Sequence, residues 1–203
     1  DVSGVIIAHG TDTLEETAYF LDLTINNNKP IIVVGALRNA SEPDYDGPRN
    51  LLNAARVTVC PEARGNGVLV VMNNQIHVAR DVSKSHTHDV ESFKSGDYGF
   101  LGHVDDDRVV FHRSPSRRQH LPLQGNDLPR VDIIAMYVGA DGSMVQAAVN
   151  AGAKGIIVQA LGPGNVNHAL FAAIRRALAA GVTVAISTRV LNGRVLPTYG
   201  FEG

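Results

Sequence analysis

Residues 9–13 read His-Gly-Thr-Asp-Thr and follow the apolar run 5–8, at the point where the chain begins a pattern that only a helix fits. A hydroxyl and a carboxylate therefore stand side by side at a strand end and beside a helix N-terminus, the place where open α/β sheets hold ligands. Thr11 and Asp12 are the first candidates for chemistry, because such a placement offers both side chains to a ligand. A plainer reading competes with it. Asp12 with Glu15, and Thr13 with Glu16, both have capping-box spacing, so this stretch also predicts caps for the helix that follows. One cap would suffice where Thr-Asp-Thr supplies three candidates, and Gly10 lets the backbone turn sharply before them.

Another place that could carry chemistry is the polar run Arg80-Asp81-Val82-Ser83-Lys84-Ser85-His86-Thr87-His88, which follows a predicted strand. Lys84 taken alone reads as a solvated charge, since lysine is almost never buried unless paired. His86 and His88 have no third or fourth ligand at a recognisable spacing, so no metal site is expected. Gly162-Pro163-Gly164-Asn165-Val166-Asn167 superficially matches a dinucleotide fingerprint, but Asn167 stands where the third glycine belongs and no acidic residue follows at the required distance. The plainer expectation is a glycine turn with Asn165 or Asn167 capping a helix. The run Val33-Val34-Gly35-Ala36-Leu37-Arg38 puts small residues at a strand end, where a ligand can approach the backbone, although an ordinary strand-to-loop transition reads the same way.

The chain is 44% hydrophobic and 19% charged with a net charge of −2, a composition suited to a globular fold. No apolar run approaches the length that crosses a bilayer, and no basic stripe interleaved with aromatics marks a nucleic-acid surface. A small or neutral ligand is expected, with neither nucleic acid nor membrane as partner. The single cysteine, Cys60, excludes an intrachain disulfide framework and a cysteine-rich metal site.

Strand and helix signals alternate around these residues. Strands are expected at 5–8, 31–34 and 67–72, with 75–79 pairing back on the last, and helices at 14–23 and 50–59. After a stretch rich in Arg, Pro, Gln, Gly and Ser the pattern restarts, with strands at 131–137, 155–160 and 183–187 and helices at 143–151 and 167–180. Such alternation predicts an α/β protein with mostly parallel sheets and right-handed crossovers. The expected organisation is a larger, doubly wound N-terminal domain over 1–112, a linker over 113–129 and a smaller, Rossmann-like C-terminal domain over 130–203. Runs 31–34 and 156–158 lack alternation, as strands covered on both faces do. The start at Asp1 without methionine and the end at Phe201-Glu202-Gly203 suggest that both domains are incomplete, so a leader segment cannot be judged.

Together these stretches resemble the bacterial type II L-asparaginase family, including the glutaminase-asparaginases. The resemblance is carried by residues 9–18, Lys29-Pro30 through Arg38, Asp46-Gly47-Pro48, Gly67 through Asn73, Arg80 through Lys84 and Gly162 through Asn165. It implies that Thr11 is the second catalytic threonine and that Asp12 and Lys84 complete a Thr-Lys-Asp triad, with Asp12 also binding substrate. It further implies that the backbone of Ala36 lines the amide pocket and that Asn165 reaches into a neighbouring subunit's active site, in a homotetramer built from intimate dimers. The implied reaction is hydrolysis of the L-asparagine side-chain amide to aspartate and ammonia without cofactor or metal.

The family's opening Thr-Gly-Gly-Thr-Ile-like segment, its tyrosine-bearing loop and its serine-containing substrate turn have no counterpart here, and neither do its C-terminal helices. The chain by itself is accordingly expected to be inactive. Residues 192–200 show no equivalent of the acidic residue that family members donate across the interface, so preference between asparagine and glutamine stays open, as does a cytoplasmic or periplasmic location. At Lys84 burial would lower the pKa and a neighbouring aspartate would raise it, a balance the sequence leaves undecided. Two alternatives accompany the asparaginase reading: a glutaminase or glutamine-dependent amidotransferase on the same core, and a non-catalytic amino-acid sensor, because a fold alone does not establish chemistry.

Overall fold

The structure is a computed structural model that describes residues 2–116, 118–125 and 127–200. Asp1, Arg117, Asn126 and residues 201–203, on which parts of the linker and chain-end readings fall, lie outside the described residues. The chain divides into two compact units, residues 1–124 and 125–203.

In the first unit β1 (Val5–Ala8), β2 (Ile31–Val34) and β3 (Val68–Met72) run parallel, with Val5 opposite Ile31 and Ile31 opposite Val68. These are the β-branched runs expected as strands. All five residues of β3 are buried, and because alternate side chains point to opposite faces, this strand is covered on both. Helix α1 (Leu14–Thr24) packs against β2 and β3, and α2 (Gly47–Val59) against β1, β2 and β3. Helix α2 begins three residues earlier than expected; Pro48 suits a first turn because its missing N–H has no partner there to lose.

The sheet is mixed rather than purely parallel. From β3 it continues antiparallel through β4 (Gln75–Val78). Asn73 and Asn74, at φ 47° and 62°, make the tight turn between the two strands. The short β5 (Ser83–Lys84) and β6 (Phe93–Lys94) pair with each other as a separate two-stranded ribbon, with Lys84 opposite Phe93. Strands β7 (Gly102–Val104) and β8 (Val109–Phe111) complete the main sheet in the order β1-β2-β3-β4-β7-β8. The sequence pattern predicts no strand at β5 to β8, since segments of two or three residues carry no measurable period. The core of this unit gathers Leu14, Ala18, Ile32, Val33, Leu69 and Ile76, each with no exposed surface.

Segment 113–124 holds no helix or strand among its described residues, yet it is not free of the first unit. Leu121 N–H donates to Leu23 O at 2.7 Å, and the Arg118 guanidinium lies 3.6 Å from the carboxylate of buried Asp22.

The second unit is a three-stranded parallel sheet in the order β11-β10-β9, from β9 (Val131–Ala135), β10 (Gly155–Ala160) and β11 (Thr183–Thr188). Helices α3 (Ser143–Asn150) and α4 (His168–Ala179) pack against each other and against this sheet. Asn167 caps α4 by accepting Leu170 N–H at 2.8 Å, one of the two caps expected. Its own core, including Val145, Ile156, Val158 and Leu170, is separate from the first.

Candidate active site

The turn after β1 is held by the imidazole of His9. Its Nδ1 bonds the Gly10 carbonyl at 2.7 Å and so carries the proton, which leaves Nε2 to accept from the Thr17 hydroxyl at 3.0 Å. Thr11 rests against the end of β2: a Cβ placed on Gly35 would lie 2.7 Å from the His9 carbonyl oxygen and 3.2 Å from the Thr11 methyl. Glycine at that position therefore lets the two strand ends converge.

The structure brings Thr11, Asp12 and Lys84 together. The Lys84 ammonium donates to Thr11 Oγ1 at 2.9 Å and to Asp12 Oδ1 at 2.6 Å. Residues 72 and 73 positions apart thus meet at one point, with the Lys84 side chain 15% exposed and that of Asp12 92% exposed. The hydrogen bond from Lys84, followed by the charge of the ammonium, holds the Asp12 carboxyl below its ordinary range. With two of its three hydrogens engaged, the ammonium leaves the Thr11 hydroxyl proton available for donation. Asp12, Lys84, Ser85, His86 and Thr87 line an open hollow of about 240 Å³ beside this contact.

Ala36 does not line that hollow. It borders another of about 360 Å³ at the carboxyl ends of β1 and β2, together with Ala8, His9, Gly35 and Tyr45. The strand-end loop carrying it is fixed by Asp46 and Asn50, whose roles the sequence pattern does not reveal. The Asp46 carboxylate accepts the N–H groups of Leu37 and Arg38 at 2.9 to 3.1 Å, and buried Asn50 donates to the Gly35 carbonyl at 3.1 Å. Asn50 also donates to Asp46 at 2.9 Å and accepts Asn73 N–H at 3.1 Å, so a single amide ties α2, the β2 end and the β3–β4 turn. An Asp before Gly-Pro was visible as a motif, but an asparagine within a predicted helix carries no mark of burial.

Asn165 lies in the second unit, half-buried in the turn after β10, where its backbone forms a bridge with Leu161. Gly162 and Gly164, at φ 48° and 135°, make that turn possible. His86 turns its Nδ1 onto the N–H groups of His88 and Asp89, at 3.1 and 2.9 Å, and so serves its own loop.

The expected capping boxes are not formed. Thr13 occupies the position before α1, but neither it nor a neighbour supplies a side-chain cap. Asp12 is drawn to Lys84, and the Glu15 carboxylate reaches across to β5, accepting Ser83 Oγ–H at 3.1 Å and the N–H of Lys84 in a short contact. Asp12 gains a charged partner in the Lys84 ammonium, and Glu15 gains two donors on β5, the Ser83 hydroxyl and the Lys84 N–H, where a capping box would offer it one.

Comparison with known proteins places this arrangement in context. Residues 1–117 match the family model for the N-terminal asparaginase domain, and residues 130–203 match that for the glutaminase/asparaginase C-terminal domain. The chain is 42% identical to L-asparaginase 2 of Bacillus subtilis, covering 99% of this chain and 55% of that protein. It is 44% identical to a Haemophilus influenzae protein named "Probable L-asparaginase periplasmic", covering 94% of this chain and 56% of the relative. A solved structure, that of "Probable Cytoplasmic L-asparaginase" from Campylobacter jejuni, superposes with a TM-score of 0.89 at 38% identity, over 93% of this chain and 60% of that one. The chain therefore spans little more than half the length of these relatives. With both family models matched in order and a solved relative sharing the fold, the chain belongs to the asparaginase family.

Proposed function

We propose that the protein carrying this chain is an L-asparagine amidohydrolase, which adds water to the side-chain amide and yields L-aspartate and ammonia. The contact of the Lys84 ammonium with both Thr11 Oγ1 and Asp12 Oδ1 is the observation that carries this reading. Thr11 orients the attacking group through its hydroxyl, whose oxygen accepts from Lys84. Lys84 tunes that hydroxyl, and Asp12 divides its charge between Lys84 and the α-ammonium of the substrate. The first nucleophilic threonine of the family, which this chain does not contain, would attack the amide carbon. The hydroxyl proton that this threonine gives up is the one departing ammonia needs, and the hydrogen-bonded chain from Thr11 to Lys84 to Asp12 offers a path for it; water then cleaves the resulting ester, releasing aspartate and restoring the threonine.

The backbone at Ala36 contributes to substrate binding from the neighbouring hollow, and Asn165 does so from a neighbouring subunit of a homotetramer built as a dimer of dimers. The organisation into an N-terminal domain over 1–112, a linker over 113–129 and a C-terminal domain over 130–203 is supported by the division of the chain near residue 124 and by family models that end at 117 and resume at 130. Glutamine is a second substrate candidate, favoured by the match of residues 130–203 to a model shared by glutaminases and asparaginases.

In the full-length protein, Thr11→Val and Lys84→Met each lower ammonia release from asparagine by about 10²–10⁴-fold, the usual weight of one acid–base group. Turnover unchanged in either variant overturns the assignment, and relative rates with asparagine and glutamine decide the preference.

A further inference from the structure

The β5–β6 ribbon that carries Lys84 is two residues long on each side and stands outside the main sheet. A ribbon that short has little stability of its own. On one edge β5 is held by β6, where Phe93 is 2% exposed. On the other edge the Lys84 N–H points to Glu15 in the first turn of α1, and both oxygens of that carboxylate are used: Oε1 accepts from the Ser83 hydroxyl and Oε2 from the Lys84 N–H. The same five-residue stretch, 11–15, thus holds Lys84 twice, by its backbone through Glu15 and by its ammonium through Thr11 and Asp12. A lysine side chain has four rotatable bonds, so the position of its nitrogen is only as definite as the backbone from which it starts.

We infer that Glu15 is a positioning residue for the reaction proposed above: by clamping the β5 backbone at Ser83 and Lys84, it sets the Lys84 ammonium on Thr11 and Asp12. The inference rests on that functional reading for its effect on turnover, while the clamp itself is a matter of geometry. Glu15 acts through reach rather than charge. Glutamine at this position keeps an acceptor for the Lys84 N–H and a group for the Ser83 hydroxyl, whereas aspartate keeps the negative charge near the start of α1 but withdraws it by one methylene.

The test compares Glu15→Gln and Glu15→Asp in the full-length protein, each also combined with Lys84→Met, by ammonia release from asparagine and by a crystal structure of the Glu15→Asp variant. Glu15→Gln is expected to stay within about threefold of the parent, and Glu15→Asp to lose on the order of 10²-fold in kcat, the cost of displacing a catalytic group by about 1 Å. In the Lys84→Met background Glu15→Asp should change kcat by less than about twofold, because the group it positions is already gone. The crystal structure should show Lys84 Nζ beyond hydrogen-bond distance of Thr11 Oγ1.

Full turnover in Glu15→Asp, or the same fold-loss with and without Lys84, overturns the inference. If Lys84→Met itself retains turnover, the amidohydrolase reading fails instead. The clamp is then judged on the Glu15→Asp structure, where Lys84 still seated on Thr11 refutes it.

Discussion

Acidification should find His77 before it finds any lowered carboxylate. The ring is 1% exposed, its Nδ1 lies 2.8 Å from the Ser95 hydroxyl, and its Nε2 is buried with no hydrogen-bond partner among the described residues. Burial, followed by the positive charges of Lys94 and Arg113, lowers its pKa to about 4 from 6.5. A histidine whose folded pKa is depressed stabilises the fold above its unfolded pKa, and that contribution is lost as the pH falls from 6.5 toward 4 because the unfolded chain takes up the proton first. Integrated between pH 7 and pH 5 the loss is about 2 kcal/mol, and at still lower pH it approaches about 3 kcal/mol.

Urea unfolding followed by far-ultraviolet circular dichroism at pH 7, 6 and 5, for the parent and for His77→Gln, isolates this effect. The variant is less stable at neutral pH, but the comparison is between slopes. Asp81, which burial raises and which acidification therefore favours, is present in both proteins and cancels. The parent should lose about 2 kcal/mol more than the variant over this interval. Equal losses would refute the reasoning that burial keeps His77 neutral.

Gly35→Ala should lower stability by about 1–3 kcal/mol, as overpacking does, and in the full-length protein should reduce turnover, because the new methyl presses on the His9 carbonyl and on Thr11. Urea midpoints and ammonia release check the two effects. Asp46→Ala leaves the N–H groups of Leu37 and Arg38 without their acceptor and should cost about 1.5–3 kcal/mol, with a raised KM for asparagine if Ala36 binds the amide. An unchanged KM would separate the loop's stability from substrate binding. Asp22→Ala removes the acceptor of the buried Val68 N–H, 2.9 Å away, and should lower the urea midpoint by an amount equivalent to about 1–3 kcal/mol.

The amino-acid order alone made the positions of the strong elements legible. Val5–Ala8 and Ile31–Val34 are observed at their expected limits because β-branched runs bounded by turn residues read as strands wherever the rest of the chain goes. It also placed Thr11 and Asp12 at a strand end, a consequence of local order alone. It did not determine what those residues touch. Glu15 stands at capping distance from Asp12, and nothing local distinguishes a glutamate that turns back to its own helix from one that crosses to Lys84, some seventy positions on. Strands β5 to β8 are set by pairing partners rather than by their own two or three residues. Asn50, one polar residue among many in a helix, becomes a hub only when α2, the β2 end and the β3–β4 turn close around it. Propensity and pattern act over a few residues and survive in any context. A side chain's hydrogen-bond partner is the outcome of a competition among every group the folded chain brings within reach, and that competition is settled only in three dimensions.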